Sequence, residues 1–269
     1  MAKLNLDYYT AKDHYSDGDI ENTLLEMARE GKSFQDLPEE EVSFPMVYHF
    51  SDLRENILNW YPLKKTDSVL EIGAGCGAIT GMLCQKAGKV TSVELSRRRA
   101  EINFARNSEK ENLTIMVGNL NDMTFPENFD YVVVNGVLEY AMSFTEGKTP
   151  YETFLKEMGG YLKPEGKLLI AIENRLGLKY FAGAPEDHTD IHFFGIDGYP
   201  ENHSVRTFSK EELGELLKNS GFPFLHFYYP YPDYKFPTEN FYGRESLYQF
   251  LWKKLSGLYG QNSGSLFGK

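Results

Sequence analysis

The chain predicts an α/β fold: a doubly wound, mostly parallel sheet with helices on both faces. Three observations carry this. Short apolar strand patterns alternate with helical patterns from Asp67 onward, the signature of βαβ units. Glycines cluster at the turn between the first such strand and its helix. Finally, Gly73, Glu94, Asn119, Asn135 and Glu173 all fall at expected carboxyl strand ends, the edge where open α/β sheets bind ligands.

The elements follow in order. Val69–Ile72 reads as strand one and Ala78–Lys86 as its helix. Between them, Gly73, Gly75 and Gly77 let the backbone take positive φ and let a ligand approach without meeting a Cβ. The helix start aims unpaired N–H groups and a positive dipole end at the same place. Strand two, Lys89–Glu94, ends in a carboxylate able to accept hydrogen bonds from a ribose diol. The expected ligand is therefore a nucleoside carrying an anionic group. A helix over Arg97–Asn107, strand three over Leu113–Val117 and strand four over Tyr131–Asn135 continue the alternation. A helix over Tyr151–Leu162 and strand five over Lys167–Glu173 follow. The stretch from Asn174 to Arg206 is too long for a plain connection and reads as an inserted substrate loop or lid. Ser209 and Glu212 form a capping box that restarts a helix, and Phe222–Tyr229 reads as strand six.

Gly73, Gly75 and Ala78 fit the G-x-G-x-x-A pattern of dinucleotide sites. Glu71, Gly73, Gly75 and Gly77, as E-x-G-x-G-x-G, resemble motif I of the class I S-adenosylmethionine-dependent methyltransferases. Glu71 favours the second: its charge repels a pyrophosphate but suits the cationic methionine end of S-adenosylmethionine. Val117–Asp122, Phe129–Tyr140 and Tyr161–Ile170 resemble the family's later strands and exits, so the likeness runs from Ser68 to Phe227. Asn119 departs from the family's usual aspartate, which leaves the contact to the adenine amine in question.

The resemblance implies a Rossmann-like, seven-stranded sheet, with Tyr234–Phe241 as an antiparallel seventh strand. It implies S-adenosylmethionine as cofactor. Gly73, Ala74, Gly75 and Gly77 would then lie along methionine and ribose, Glu94 and Leu95 at the ribose diol, Asn119 and Leu120 at adenine, and Asn135 and Gly136 at the methionine amine. It also implies that residues 1–66 form a helical extension covering the cofactor, with Tyr8, Tyr9, Tyr48 and Arg54 as candidate lid contacts.

Methyl transfer from a sulfonium needs no protein nucleophile; positioning supplies most of the rate, and an oxygen acceptor also gains from a general base. His188 beside Asp187 is the candidate base, because histidine titrates near neutrality, and Glu139 is a further candidate. Asn135-Gly136-Val137-Leu138 lacks the Asn-Pro-Pro-Tyr pattern of enzymes methylating nucleic-acid bases or protein amides. Glu173–Gly183 resembles bacterial methyltransferases of surface-polysaccharide synthesis, which implies O-methylation of a small-molecule or glycan acceptor. An NAD-dependent oxidoreductase and a non-catalytic cofactor-binding module are the alternatives.

Composition narrows the partners. A net charge of −11 opposes nucleic-acid binding, which rests on neutralising phosphates. No apolar run approaches the ~20 residues of a membrane span, and Met1–Tyr15 lacks a signal-peptide core, so a cytoplasmic protein is expected. Cys76 and Cys84 read as reduced core residues, and no His/Cys spacing suggests a metal site. Helices are expected over Asp19–Gly31 and Ser51–Tyr61, and Arg97–Arg99 reads as a solvated face. The expected organisation is an extension over 1–66, a core over 67–242 with its loop at 174–206, and a helix and tail over 243–269.

Overall fold

A computed structural model describes residues 1–11, 16–200 and 204–242. The expected closing helix and tail over 243–269 lie outside the described residues.

In chain order the strands are β1 (Lys3–Tyr8), β2 (Ser68–Ile72), β3 (Lys89–Glu94), β4 (Leu113–Gly118), β5 (Phe129–Asn135), β6 (Leu162–Ala171), β7 (Tyr228–Tyr231) and β8 (Glu239–Tyr242). The helices are α1 (Ile20–Glu30), α2 (Phe44–Phe50), α3 (Thr80–Lys86), α4 (Arg97–Asn107), α5 (Ala141–Phe144), α6 (Pro150–Gly160), α7 (Leu178–Phe181) and α8 (Lys210–Asn219).

One six-stranded sheet runs β1-β4-β3-β2-β5-β6, with every neighbouring pair parallel. The chain winds outward from β2 through β3 to β4, then crosses back to β5 on the other side of β2. That reversal opens a crevice at the carboxyl ends of β2 and β5. β2 is buried along its whole length, and its side chains alternate between two apolar layers. Val69 joins Leu83, Val90 and Leu113 on the α3 side, while Leu70 joins Val132, Leu155 and Met158 on the α6 side. Each fully buried Leu or Val contributes on the order of 1.5–3 kcal/mol relative to an exposed one.

Among the described residues the main sheet has six strands where seven were expected. The segments read as strands six and seven shrink to β7 and β8, which pair antiparallel with each other in a separate two-stranded sheet. Pro223, Pro230 and Pro232 lie in or beside that stretch, and proline brings no backbone donor to a ladder.

The N-terminus supplies a strand that the sequence reading placed in a helical extension. β1 pairs parallel with β4 at the sheet edge, where Leu4 packs on the core. Its final residue presses on Gly118: a Cβ there would lie 2.3 Å from the Tyr8 carbonyl oxygen. The expected helix over Ser51–Tyr61 is only a 3-10 turn over Asp52–Ile57, with Ser51 accepting from the Leu53 N–H at 3.3 Å. The helix in this region is instead α2, with Pro45 in its first turn, where the missing N–H costs nothing.

The expected α1 forms and ends at Gly31, in the left-handed conformation at φ +66°. Arg99, read as part of a solvated run, is buried. Its guanidinium pairs with Glu21 and Asp17 at 2.8 Å each and ties α4 to the extension. Removing either partner of such a pair strands a buried charge.

Candidate functional site

The crevice is a cleft of about 490 Å³ that runs from the glycine-rich turn to a cluster of carboxylates and a histidine. At the first end, the turn after β2 is anchored by sheet geometry. The Gly73 and Ala74 N–H groups donate to the Val93 carbonyl at 2.9 and 3.1 Å. Gly73, Gly75 and Gly77 take φ of +66°, +54° and +77°.

The three glycines serve different needs. A Cβ at Gly73 would lie 2.5 Å from Val137 Cγ2, and one at Gly77 would lie 2.3 Å from Asn103 Oδ1. Both are therefore packing positions, and Gly77 is absent from the cleft wall. A Cβ at Gly75 would meet nothing within 4 Å. Gly75 alone of the three leaves open space on the ligand side.

Glu94, at the end of β3, is buried and ties this loop together. It accepts from the Gly75 N–H at 2.7 Å and from the Ser96 N–H at 2.8 Å. Burial raises its carboxyl above the ordinary value, against the pull of those N–H groups and of Arg99. Glu71 borders the cleft, but its Oε2 accepts from Thr80 Oγ1 at 2.7 Å and Ser92 Oγ at 2.6 Å. Asn103 continues this network to Thr80 at 3.1 Å. Burial pushes the Glu71 carboxyl up to about 7, with the Ser92 and Thr80 hydroxyls opposing. Through Oε2 Glu71 thus braces the turn from beneath.

Ala74, Leu95, Asn119 and Leu120 line the same end. Asn119 caps a short 3-10 turn by accepting from the Asn121 N–H at 3.1 Å. Asn135 and Gly136 line the floor between the two ends. Asn135 Oδ1 is buried without a hydrogen-bond partner among the described residues.

Beyond Gly136 the wall changes character. Glu139 enters from the turn after β5, Glu173 from just past β6, and His188 from the long loop. Glu139 and Glu173 are 1% and 4% exposed, and an Oε2 on each has no hydrogen-bond partner among the described residues. Burial, and then the Glu173 charge, push Glu139 up to about 8.

Asp187, the sequence neighbour of the candidate base His188, does not partner its ring. Asp187 makes ion pairs with Lys179 and Lys235 at 2.7 Å each and accepts from the Tyr180 hydroxyl. Despite burial, these partners hold it well below the usual carboxylate range, a fixed anion rather than a base.

The partner of His188 is Glu186, which the sequence reading missed. Glu186 Oε1 lies 3.0 Å from His188 Nδ1, and its Oε2 accepts from the His188 and Thr189 N–H groups at 2.8 and 2.9 Å. Tyr199 donates to it as well, at 3.2 Å. Burial opposes these bonds, yet they lower Glu186 to about 2. Burial pulls the His188 ring down, but the Glu186 bond and the charges of Glu173, Glu186 and Glu139 carry it above the ordinary histidine value. The only signal in sequence was an acidic residue two before the histidine, which in a 33-residue irregular stretch singles out nothing.

Lys235 was also missed: it pairs with Glu173 Oε1 at 2.8 Å as well as with Asp187. Among the expected lid contacts, Tyr48 and Arg54 line the cleft, with the Arg54 guanidinium 4.3 Å from the Tyr48 ring centroid. Tyr8 and Tyr9 do not line it; they pack against the apolar layers of the sheet.

Residues 70–170 match the family model described as "Methyltransferase domain". The chain is 26% identical over 155 residues to malonyl-acyl-carrier-protein O-methyltransferase of Priestia megaterium, covering 57% of this chain and 46% of that protein. It is 42% identical over 81 residues to a protein of Methanosarcina mazei named as ribosomal RNA small subunit methyltransferase A, covering 30% of this chain and 29% of that one. The chain thus spans less than half the length of either relative. A chain in the complex between the Haloferax volcanii Trm112 methyltransferase activator and a methyltransferase shares the fold. That match has a TM-score of 0.51 and 18% identity, covering 84% of this chain and 91% of that one. Among the described residues, no helix is long and apolar enough to cross a membrane.

Proposed function

We propose that this chain, which carries a class I S-adenosylmethionine-dependent methyltransferase domain over residues 70–170, methylates a hydroxyl of a small-molecule or glycan acceptor. The observation that carries this reading is the continuity of the cleft: one cavity joins the glycine-rich turn to the Glu139–Glu173–His188 cluster.

The residues present suit the cofactor that the family implies. Gly75 leaves room where a side chain would intrude, and Asn135 offers a buried acceptor with no donor of its own among the described residues. A methionine ammonium supplies such a donor. Glu94 keeps lone pairs for a ribose diol while it holds Gly75, since each carboxylate oxygen can accept more than one bond. Leu95, Asn119 and Leu120 frame a place for adenine. When bound, S-adenosylmethionine supplies a sulfonium methyl group for in-line transfer.

The rest is done by this chain's own groups. Tyr48, Tyr140 and Tyr234 border the far end of the cleft and restrict how an acceptor can lie. Glu139 and His188 face that end, where an acceptor hydroxyl must lose its proton, and Glu186 fixes the His188 ring. A net charge of −11 supports a small-molecule or glycan acceptor over a nucleic acid.

Calorimetric titration with S-adenosylhomocysteine tests the reading. The wild type is expected to bind one equivalent, and Glu94→Ala is expected to bind on the order of 100-fold more weakly, about 2.7 kcal/mol. Unchanged affinity in the variant removes Glu94 from the site. Absence of binding to the wild type, with no labelled methyl transferred into a pool of cell metabolites, sinks the proposal.

A further inference from the structure

We propose that Glu139, Glu173 and His188 bind one divalent first-row metal ion at the acceptor end of the cleft. The sequence reading saw no metal site because the three ligands come from three separate segments, after β5, after β6 and within the long loop.

Four observations converge. A carboxylate oxygen from each glutamate and a ring nitrogen of the histidine all lie within 4.8 Å of one another. His188 Nε2 lies 3.9 Å from Glu139 Oε1, too far for a hydrogen bond. It is shorter than the sum of two metal–ligand bonds of about 2.0–2.2 Å, so one ion can bridge the two atoms. Glu173 gives Oε1 to Lys235 and keeps Oε2 without a hydrogen-bond partner, while Glu139 Oε2 also lacks one among the described residues. Lys235 already pairs with Glu173, which leaves the buried Glu139 carboxylate as the charge that a bound cation would compensate.

The fourth observation is independent of the acidic pair. Glu186, 2% exposed, holds His188 Nδ1 at 3.0 Å and so presents Nε2 to the two carboxylates. A carboxylate behind a histidine is the arrangement that fixes ring orientation and tautomer in metal sites. Glu186 is here a positioning residue.

The donor set selects the class of ion. Two carboxylates with one imidazole suit Mn²⁺, Fe²⁺ or Zn²⁺, whereas Ca²⁺ and Mg²⁺ prefer oxygen alone. Three protein ligands leave coordination positions for water or for an oxygen of the acceptor. Ion binding can be measured apart from methyl transfer, but with an ion bound Glu139 and His188 would serve as its ligands and not as the proton acceptors described above; the acceptor's place on the ion rests on the function proposed above.

The test uses the full chain, stripped with a chelator and titrated with MnCl₂ and separately with ZnCl₂ by calorimetry. The expected result is one ion per chain, with affinity falling at least ~100-fold in Glu139→Gln and Glu173→Gln and about 10-fold in Glu186→Gln. Glu39→Gln, on an exposed turn, should titrate like the wild type. A wild-type readout that depends on no variant is the unfolding midpoint, which should rise with ion concentration by mass action. Failure of both ions to bind stoichiometrically overturns the site. So does stoichiometric binding that Glu139→Gln and Glu173→Gln leave unchanged.

Discussion

The two ends of the cleft are built on opposite principles. The glycine-rich end is local: a strand, a turn and a helix contiguous in sequence, joined to one neighbouring strand end. Its buried carboxylates are satisfied, Glu94 by two backbone N–H groups and Glu71 by two hydroxyls. The acidic end is assembled from the turn after β5, the exit of β6, the long loop and the segment before β8. Its charges crowd together, and buried carboxylate oxygens lack hydrogen-bond partners among the described residues. The first end reads as a rigid cradle and the second as a place kept open for something to arrive. Buried polar groups are nearly always paired, so their unpaired state marks where chemistry is expected.

If that contrast is right, the largest effect on folding comes from a glycine that does not line the cleft. Gly77→Ala combines a φ of +77° with a Cβ 2.3 Å from Asn103 Oδ1. It should lower unfolding free energy by about 3 kcal/mol in denaturant titrations. A cost under about 1 kcal/mol would show that the turn is looser than its packing implies.

Glu71 gives a pH signature of similar size. Its carboxyl titrates near the ordinary glutamate value in the unfolded chain and at about 7 in the native one. The native state therefore keeps its proton longer. Its contribution is full below pH ~4.5 and is lost as pH rises through about 7, by on the order of 3 kcal/mol. Glu71→Gln should flatten that part of the stability profile. An unaltered slope between pH 5 and 7 (roughly the window set by the two values) would mean that Glu71 is ionised in its hydroxyl cage.

At the other end, Asp187 and His188 are adjacent in sequence but differ in task. Asp187→Asn removes the partner of Lys179 and Lys235 and should cost about 2 kcal/mol of stability. His188→Ala should instead lower turnover by on the order of 100-fold, with a smaller change in stability. The reverse pattern would give Asp187 the chemical role and His188 the structural one. The smallest folding effect belongs to Gly75→Ala. Its φ of +54° should cost about 1 kcal/mol, since its Cβ meets no atom of the protein. The same variant should bind S-adenosylhomocysteine more weakly, and undiminished binding would move the ligand away from Gly75.

What could be read from sequence follows the same division. The β2–turn–α3 unit, the carboxylate ending β3 and the exits at Asn119 and Asn135 were legible because a strand end fixes its own residue at the cleft. The cap at Ser209 was legible too, since a capping box lies within four residues and forms as read. β1 was not, because a half-exposed edge strand in a polar segment has little apolar contrast. The Glu186–His188 pairing was not, because adjacency favoured Asp187.

The sequence by itself determined the parallel sheet, its crevice and the glycine turn, since strand periodicity and backbone permissiveness are local properties of the chain. Only the tertiary structure decided that the main sheet has six strands among the described residues, that the N-terminus supplies one of them, and that Glu139, Glu173 and His188 meet. Those outcomes depend on which distant segments pack together, and burial then sets charge and partnership in ways that no single segment encodes.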